Sequence, residues 1–138
     1  MTKRRAPWKG LRLSGGAVLS ARFFLLGELT AEELALHVMS SEVSIIMAKM
    51  TGTPAGPKVM PSIENSMTFL DTHVDAVLAT LPKERALSFV EVAIFCVTRH
   101  LPFREVMDVS RCTRLLDFCA RFGERESARL TEYRFDTA

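Results

Sequence analysis

The sequence predicts an all-α protein, a compact bundle of about five helices joined by short connections. Three observations carry that expectation. Apolar residues recur at intervals of three and four in several separate segments, which places them along one face of a helix. Two segments open on the capping-box pattern, a Ser or Thr followed three residues later by Glu. No segment sustains the two-residue alternation of a half-buried strand with turn signals around it, so no sheet is assigned.

The elements follow in order. Thr30, Ala31, Glu32 and Glu33 read as a capping box in which the Thr oxygen accepts the Glu33 N–H, with Leu29 and Leu34 as its hydrophobic staple. The helix that starts there is expected to turn Leu34, Val38, Val43, Ile46, Met47 and Met50 toward a core and to stop at Gly52, with Pro54 and Pro57 as breakers in a linker over residues 51–58. A second helix begins near Pro61 or Ser62. Its single stripe runs through Ile63, Met67, Leu70, Val74, Val77, Leu78 and Leu81, and Pro82 with the charged Lys83, Glu84 and Arg85 ends it in an exposed turn.

A second capping box follows at Ser88 and Glu91, stapled by Leu87 and Val92. Residues 89–101 are apolar nearly all round, which on a helix implies burial on most faces and a central position, up to Pro102. Ser110 is the expected cap of a fourth helix that turns Leu115, Leu116, Phe118, Cys119 and Phe122 inward and closes at Gly123. A last short helix covers about residues 125–130. The chain thus divides into a basic N-terminal segment, 1–29, partly disordered or a short helix, and a helical domain, 30–138.

The 138 residues suffice for one domain, and 48% hydrophobic against 25% charged residues, with 7 Gly and 6 Pro, exclude disordered and collagen-like classes. The longest apolar run, 92–97, has six residues, far short of the roughly 18 that a spanning helix needs. Cys96, Cys112 and Cys119 are an odd set without a CxxC, which points to a reducing, cytoplasmic setting rather than a disulfide framework. Charge is uneven. Lys3, Arg4, Arg5, Lys9, Arg12 and Arg22 give residues 1–27 a charge of +6 with no acid, and Trp8 lies among them, as a nucleic-acid arm would have it.

Candidate chemistry is sparse. Cys96 and His100 lie four apart on one helix, as two metal ligands would, but with no second pair at ligand spacing they read as a core thiol and a helix-end histidine near the last carbonyls. His37 and His73 stand alone on amphipathic helices. Arg111 and Arg114 near a helix start could lower the pKa of Cys112, which makes its thiol a reactive candidate, although an unreactive thiol is the favoured reading. Met39, Met47, Met50, Met60 and Met67 read as core filler or as the lining of an apolar cleft. Gly15 and Gly16 lack the context of a phosphate loop. No catalytic, cofactor-binding or metal-binding residue is assigned.

Residues 87–93, Leu87-Ser88-Phe89-Val90-Glu91-Val92-Ala93, together with residues 114–122 and Arg125-Glu126-Ser127-Ala128, resemble the all-helical C-terminal domain of the glutathione S-transferases. The first matches that family's buried capping box, with Glu91 in place of its Asp. The second matches its penultimate helix and the Arg-Pro-Ser turn, with Cys112-Thr113 in place of Tyr-Pro and Glu126 in place of Pro. The resemblance covers about residues 30–135. It implies a domain that shapes the electrophile pocket for glutathione transfer when a thioredoxin-like domain supplies the glutathione site. Only 29 residues precede Thr30, and the faint likeness of residues 11–14 and 22–26 to a first strand and helix does not make that site.

The chain is therefore expected to carry no cofactor itself and to be inactive alone. Its expected partners are a second copy or a thioredoxin-like domain, with an apolar small molecule as a possible ligand and no membrane. Leu34, Val38, Phe23 and Phe24 are the expected contributors to self-association. The alternative is a helical adaptor that binds nucleic acid through residues 1–29.

Overall fold

The computed structural model describes the backbone of residues 15–136 and the side chains beyond residue 26 up to residue 136. It is all-helical, with no strand among the described residues: α1 Gly15–Thr51, α2 Val59–Thr80, α3 Phe89–Phe103, α4 Thr113–Phe122 and α5 Glu126–Leu130. The first four form a ring in which α1 packs against α2 and α3, and α4 packs against the same two. The core runs through the ring, with Val38, Ile63, Met67, Leu70, Ile94, Val97, Leu101 and Leu115 among its most deeply buried side chains. The basic residues 3–12 and the side chains of Arg22, Phe23 and Phe24 lie outside the described residues.

The first departure from expectation is the start of α1. The helix passes unbroken through Thr30, which is exposed in its interior and caps nothing. Residues 17–26 hold two Ala, three Leu and no Gly or Pro, so the chain is already helical where the box would start it. The second departure is the buried face. Ala31, Ala35, Val38, Glu42 and Ile45 form the inward stripe, stepping by 4, 3, 4 and 3, whereas Val43, Met47 and Met50 are 56%, 51% and 73% exposed. Two alanines in that stripe let α1 approach its neighbours closely, a contact that larger side chains would hold apart.

The end of α1 is a Schellman turn. Gly52 takes φ +67, and the Thr53 N–H returns to the Ala48 carbonyl at 3.0 Å. In α2 the predicted stripe is buried as read, from Ile63 to Leu81 with Leu78 partly covered, although the helix opens at Val59 and takes Pro61 into its first turn. That is a position where the missing N–H costs nothing. The helix α3 is covered on most of its faces, as expected, with only Phe89 and Arg99 exposed between residues 89 and 101. Val90, Ala93, Ile94, Val97 and Leu101 point inward, while Phe89 is 59% exposed and Arg99 lies in solvent.

Pro102 sits inside the last turn of α3 and does not stop it at residue 101. Termination comes two residues later, in a second Schellman turn: the Val106 N–H reaches the Leu101 carbonyl at 2.9 Å and the Glu105 N–H the Pro102 carbonyl at 3.1 Å. Its left-handed residue is Glu105, φ +53, where glycine is the usual occupant. Lys49 Nζ donates to the Glu105 carbonyl at 2.9 Å and ties the turn to α1. Because that bond uses the main chain, Glu105→Gly is expected to raise the unfolding free energy by about 0.5 to 1 kcal/mol, the relief of one left-handed residue less the added freedom of the unfolded chain. Urea denaturation of the two proteins checks it.

Ser110 does not cap α4. It turns back on Asp108, whose carboxylate accepts its N–H at 2.9 Å and its hydroxyl at 2.8 Å, and the N-cap is Cys112, with no side-chain cap of its own. The N–H of Leu115 in the first turn is instead taken by Asp71 Oδ1 of α2 at 3.0 Å. Arg114 adds a bond from Nη1 to the Thr72 carbonyl at 3.0 Å. One helix thus caps another.

Candidate functional site

Three features stand out once the fold is built: two buried carboxylates, a cleft beside α3, and the outer face of α1. At the start of α3 the Glu91 N–H donates to Ser88 Oγ at 3.3 Å, and Glu91 Oε2 accepts from the Ser88 N–H at 3.2 Å and from Ser88 Oγ at 2.9 Å. Arg85 closes the arrangement, with Nη2 on Oε1 at 2.6 Å and Nε on Oε2 at 3.1 Å. This fork-to-fork pairing, with the Ser88 bonds, holds the Glu91 carboxyl below its usual range against the opposing effect of burial. Leu87 is half exposed beside it and Val92 packs partly against the core. The group is structural.

Glu42 is the second buried carboxylate, 2% exposed on the inward stripe of α1, and its Oε1 lies 2.8 Å from His100 Nδ1 on α3. The Tyr133 ring meets His100 edge-on at 4.8 Å, and Phe103 stacks between Tyr133 and Phe135, at 5.5 and 4.4 Å. The residues after α5 are thereby held along α3. The Tyr133 hydroxyl donates to the Cys96 carbonyl at 3.4 Å, and burial raises its pKa above the usual tyrosine value. His100 therefore pairs with a carboxylate on another helix rather than sharing a metal face with Cys96, and no group of three metal-ligating side chains occurs among the described residues.

A cleft of about 400 Å³ opens between α3, α4, α5 and the segment after it. Phe95, Cys96, Cys119 and Gly123 give it an apolar lining, and Arg99 and Arg129 are matched there by Glu124 and Glu132, with Arg99 Nη2 3.8 Å from Glu132 Oε1. A Cβ on Gly123 would come within 2.8 Å of the Cys119 carbonyl, so this wall is built for glycine. Burial pushes the Cys119 thiol up to about 11, which leaves it protonated near neutrality. The Cys112 thiol is also raised, by burial and then by Asp71 and Asp108, not lowered by Arg111 and Arg114. It is no reactive thiol. A second hollow, of about 770 Å³, lies beside it, with Glu64, Asp71, Asp108 and Arg111 in its lining.

The other sequence candidates are placed simply. His37 Nε2 is 2.8 Å from Ser62 Oγ, and His73, exposed, stacks on Phe69 at 4.0 Å with Nδ1 on the Phe69 carbonyl. Of the methionines, Met67 is fully buried, Met39 and Met60 are partly so, and Met47 and Met50 are exposed. The structure does not gather these residues into one site.

The outer face of α1 is the remaining feature. Leu29, Leu36, Val43 and Met50 repeat every seven residues and are 54%, 43%, 56% and 73% exposed. Glu33, Ser40 and Met47, also exposed, interleave with them to give steps of 4 and 3. Each residue turns a helix by about 100°, so this line lies nearly opposite the buried stripe through Ala35, Val38 and Glu42. Sequence reading placed Val43, Met47 and Met50 inward and missed Glu42. The signal was present: Val38, Glu42 and Ile45 continue the step from Ala31 and Ala35, and a histidine on a later helix answers the acid.

These features define a class, an all-helical bundle whose two buried carboxylates, Glu42 and Glu91, hold its elements together. No described helix is long and apolar enough to cross a membrane. No protein-family model, curated protein or solved structure matches the chain.

Proposed function

We propose that this chain is a helical binding and assembly module, supplying surfaces rather than chemistry. The observation that carries the reading is the outer line of α1. Folding gains nothing from apolar side chains repeated along a solvent-facing helix, and contiguous exposed apolar surface of that kind marks a contact site. The buried polar groups support it from the other side, since Glu91, Glu42 and Asp71 are each engaged in joining elements of the fold.

The cleft beside α3 favours a second role within the same module, a site for a small apolar molecule. With a thioredoxin-like domain supplied, as the glutathione S-transferase resemblance implies, this cleft would be the pocket for the electrophile. The Ser88–Glu91 box is what supports that extension. The nucleic-acid alternative rests on residues outside the description.

Purified alone, the chain is expected to be passed unretained by immobilised glutathione and to leave the conjugation of glutathione with a generic aryl halide at its uncatalysed rate. Conjugation that follows the protein through every purification step would overturn the module reading. Nucleic acid that copurifies and is released by salt would favour the alternative, because phosphate contacts weaken steeply as salt rises.

A further inference from the structure

The segment after α5 crosses a groove and divides it. On one side of the crossing lies the cleft of about 400 Å³, with Phe95 and Cys96 of α3 and Cys119 and Ala120 of α4 in its lining. On the other lies a hollow of about 300 Å³ between Thr98, Pro102 and Phe103 of α3 and Leu116 of α4. From the first to the second the lining positions rise along α3 and fall along α4, as the two ends of one groove between the helices would have them. Arg99, Glu132 and Tyr133 line both, so the partition is the Arg99 side chain and the crossing segment itself.

That segment is lightly held. Beyond the Thr131 N–H, no main-chain hydrogen bond ties residues 132–136 to the rest of the described residues, and every residue from 131 to 136 is exposed. Side chains do the holding: Tyr133 lies edge-on to His100 with its hydroxyl on the Cys96 carbonyl, Phe135 stacks on Phe103 with the Arg104 guanidinium 5.9 Å from its ring, and Glu132 pairs loosely with Arg99. Contacts of this exposed kind are weak one by one. The preceding α5 buries no residue and is anchored ahead of its own start, where Arg125 Nη1 donates to the Ala86 carbonyl at 2.6 Å. Lifting residues 131–136 therefore disturbs no part of the core, and a segment with so few buried contacts opens without unfolding what it covers.

We infer that residues 131–136 are a strap that governs access to this groove, and that lifting it joins the two hollows into the space that admits a small apolar molecule. The inference rests on the reading of the cleft as such a site and adds how entry is controlled. A ligand that needs the open groove binds with an affinity reduced by the fraction of chains in which the strap is lifted, so loosening the strap tightens binding.

Phe135→Ser is the informative change, because Phe135 is 64% exposed and lines neither hollow, so any effect it has on binding passes through the strap. Titrated with the neutral apolar dye phenylnaphthylamine, the full-length variant is expected to bind about three- to tenfold more tightly than the wild type, the factor by which loss of one aromatic stack favours opening. Ala120→Trp, which fills the cleft from an exposed position on α4, is expected to abolish binding in both backgrounds. Unchanged far-ultraviolet circular dichroism is expected for each. As a second readout, alkylation of the partly covered Cys96 by iodoacetamide, located by peptide mapping, is expected to quicken in Phe135→Ser by a similar factor.

Dye binding that Ala120→Trp abolishes but that Phe135→Ser leaves equal or weakens overturns the strap and leaves the cleft standing as a site. An unchanged rate of Cys96 alkylation also counts against the strap alone. Binding that is absent, or that ignores Ala120→Trp, removes the cleft reading and the strap with it.

Discussion

Replacing His100 with Ala is expected to lower the unfolding free energy by about 3 kcal/mol, because it leaves a deeply buried carboxylate without its partner. Glu42 is 2% exposed, so in the variant its carboxyl is left buried without the hydrogen-bond partner it has in the wild type. The exchange Glu42→Gln keeps the shape and a hydrogen bond to Nδ1, and about 1 kcal/mol is expected there, the size of one ordinary hydrogen bond. The double change Glu42→Leu with His100→Leu removes both polar groups and is expected to recover most of the loss, since apolar pairs replace buried ion pairs at little cost. Equilibrium denaturation of the three variants checks the order. A loss below about 0.5 kcal/mol for His100→Ala, within the range of ordinary surface changes, would show that the pair contributes nothing.

Glu91→Ala is the second large effect, at about 2 to 3 kcal/mol, because one carboxylate accepts the Ser88 N–H and hydroxyl and also holds the Arg85 fork. Ser88→Ala loses only the cap and is expected to cost about 1 kcal/mol. The pH dependence follows from the lowered pKa of Glu91. A carboxyl whose folded pKa lies below its unfolded value stabilises fully above the unfolded value, and that contribution is lost as pH falls through the folded one. The stability of the wild-type chain should therefore fall below about pH 4.5, the ordinary value of the group, and Glu91→Gln should flatten part of that fall. Equal unfolding midpoints for Glu91→Ala and Ser88→Ala would mean that Arg85 adds nothing.

Much of this fold was legible where local chemistry decides it. The stripe of α2, the Ser88 box and Gly52 were readable because an apolar period, a side-chain cap and a left-handed glycine each act within a few residues. What sequence could not weigh was competition between local signals. Thr30 offered a good cap, but a cap matters only where the chain is not already helical, and residues upstream made it so. On α1 two apolar lines were present, and the expected core set mixed them, joining Val38 of the buried line to Val43, Met47 and Met50 of the outer one. Large side chains favour burial in general, yet here two alanines and an acid face inward because another helix lies close and brings a histidine. Cys112 went the same way: nearby arginines were visible in sequence, while Asp71, 41 positions earlier, was not.

That same aspartate ties the fate of one segment to another. The ten-residue α4 is shorter than the roughly 12 to 15 residues that persist alone in water, and its own first residues offer no side chain to its free amides. A carboxylate 44 positions back supplies the acceptor, so the helix gains its terminus only after α2 has formed and the intervening chain has looped home. Its amides are then shielded by a residue that cannot leave without unpacking the centre of α2. The domain has little means of shedding α4 by fraying, and its opening is cooperative across both helices rather than local to the smaller one.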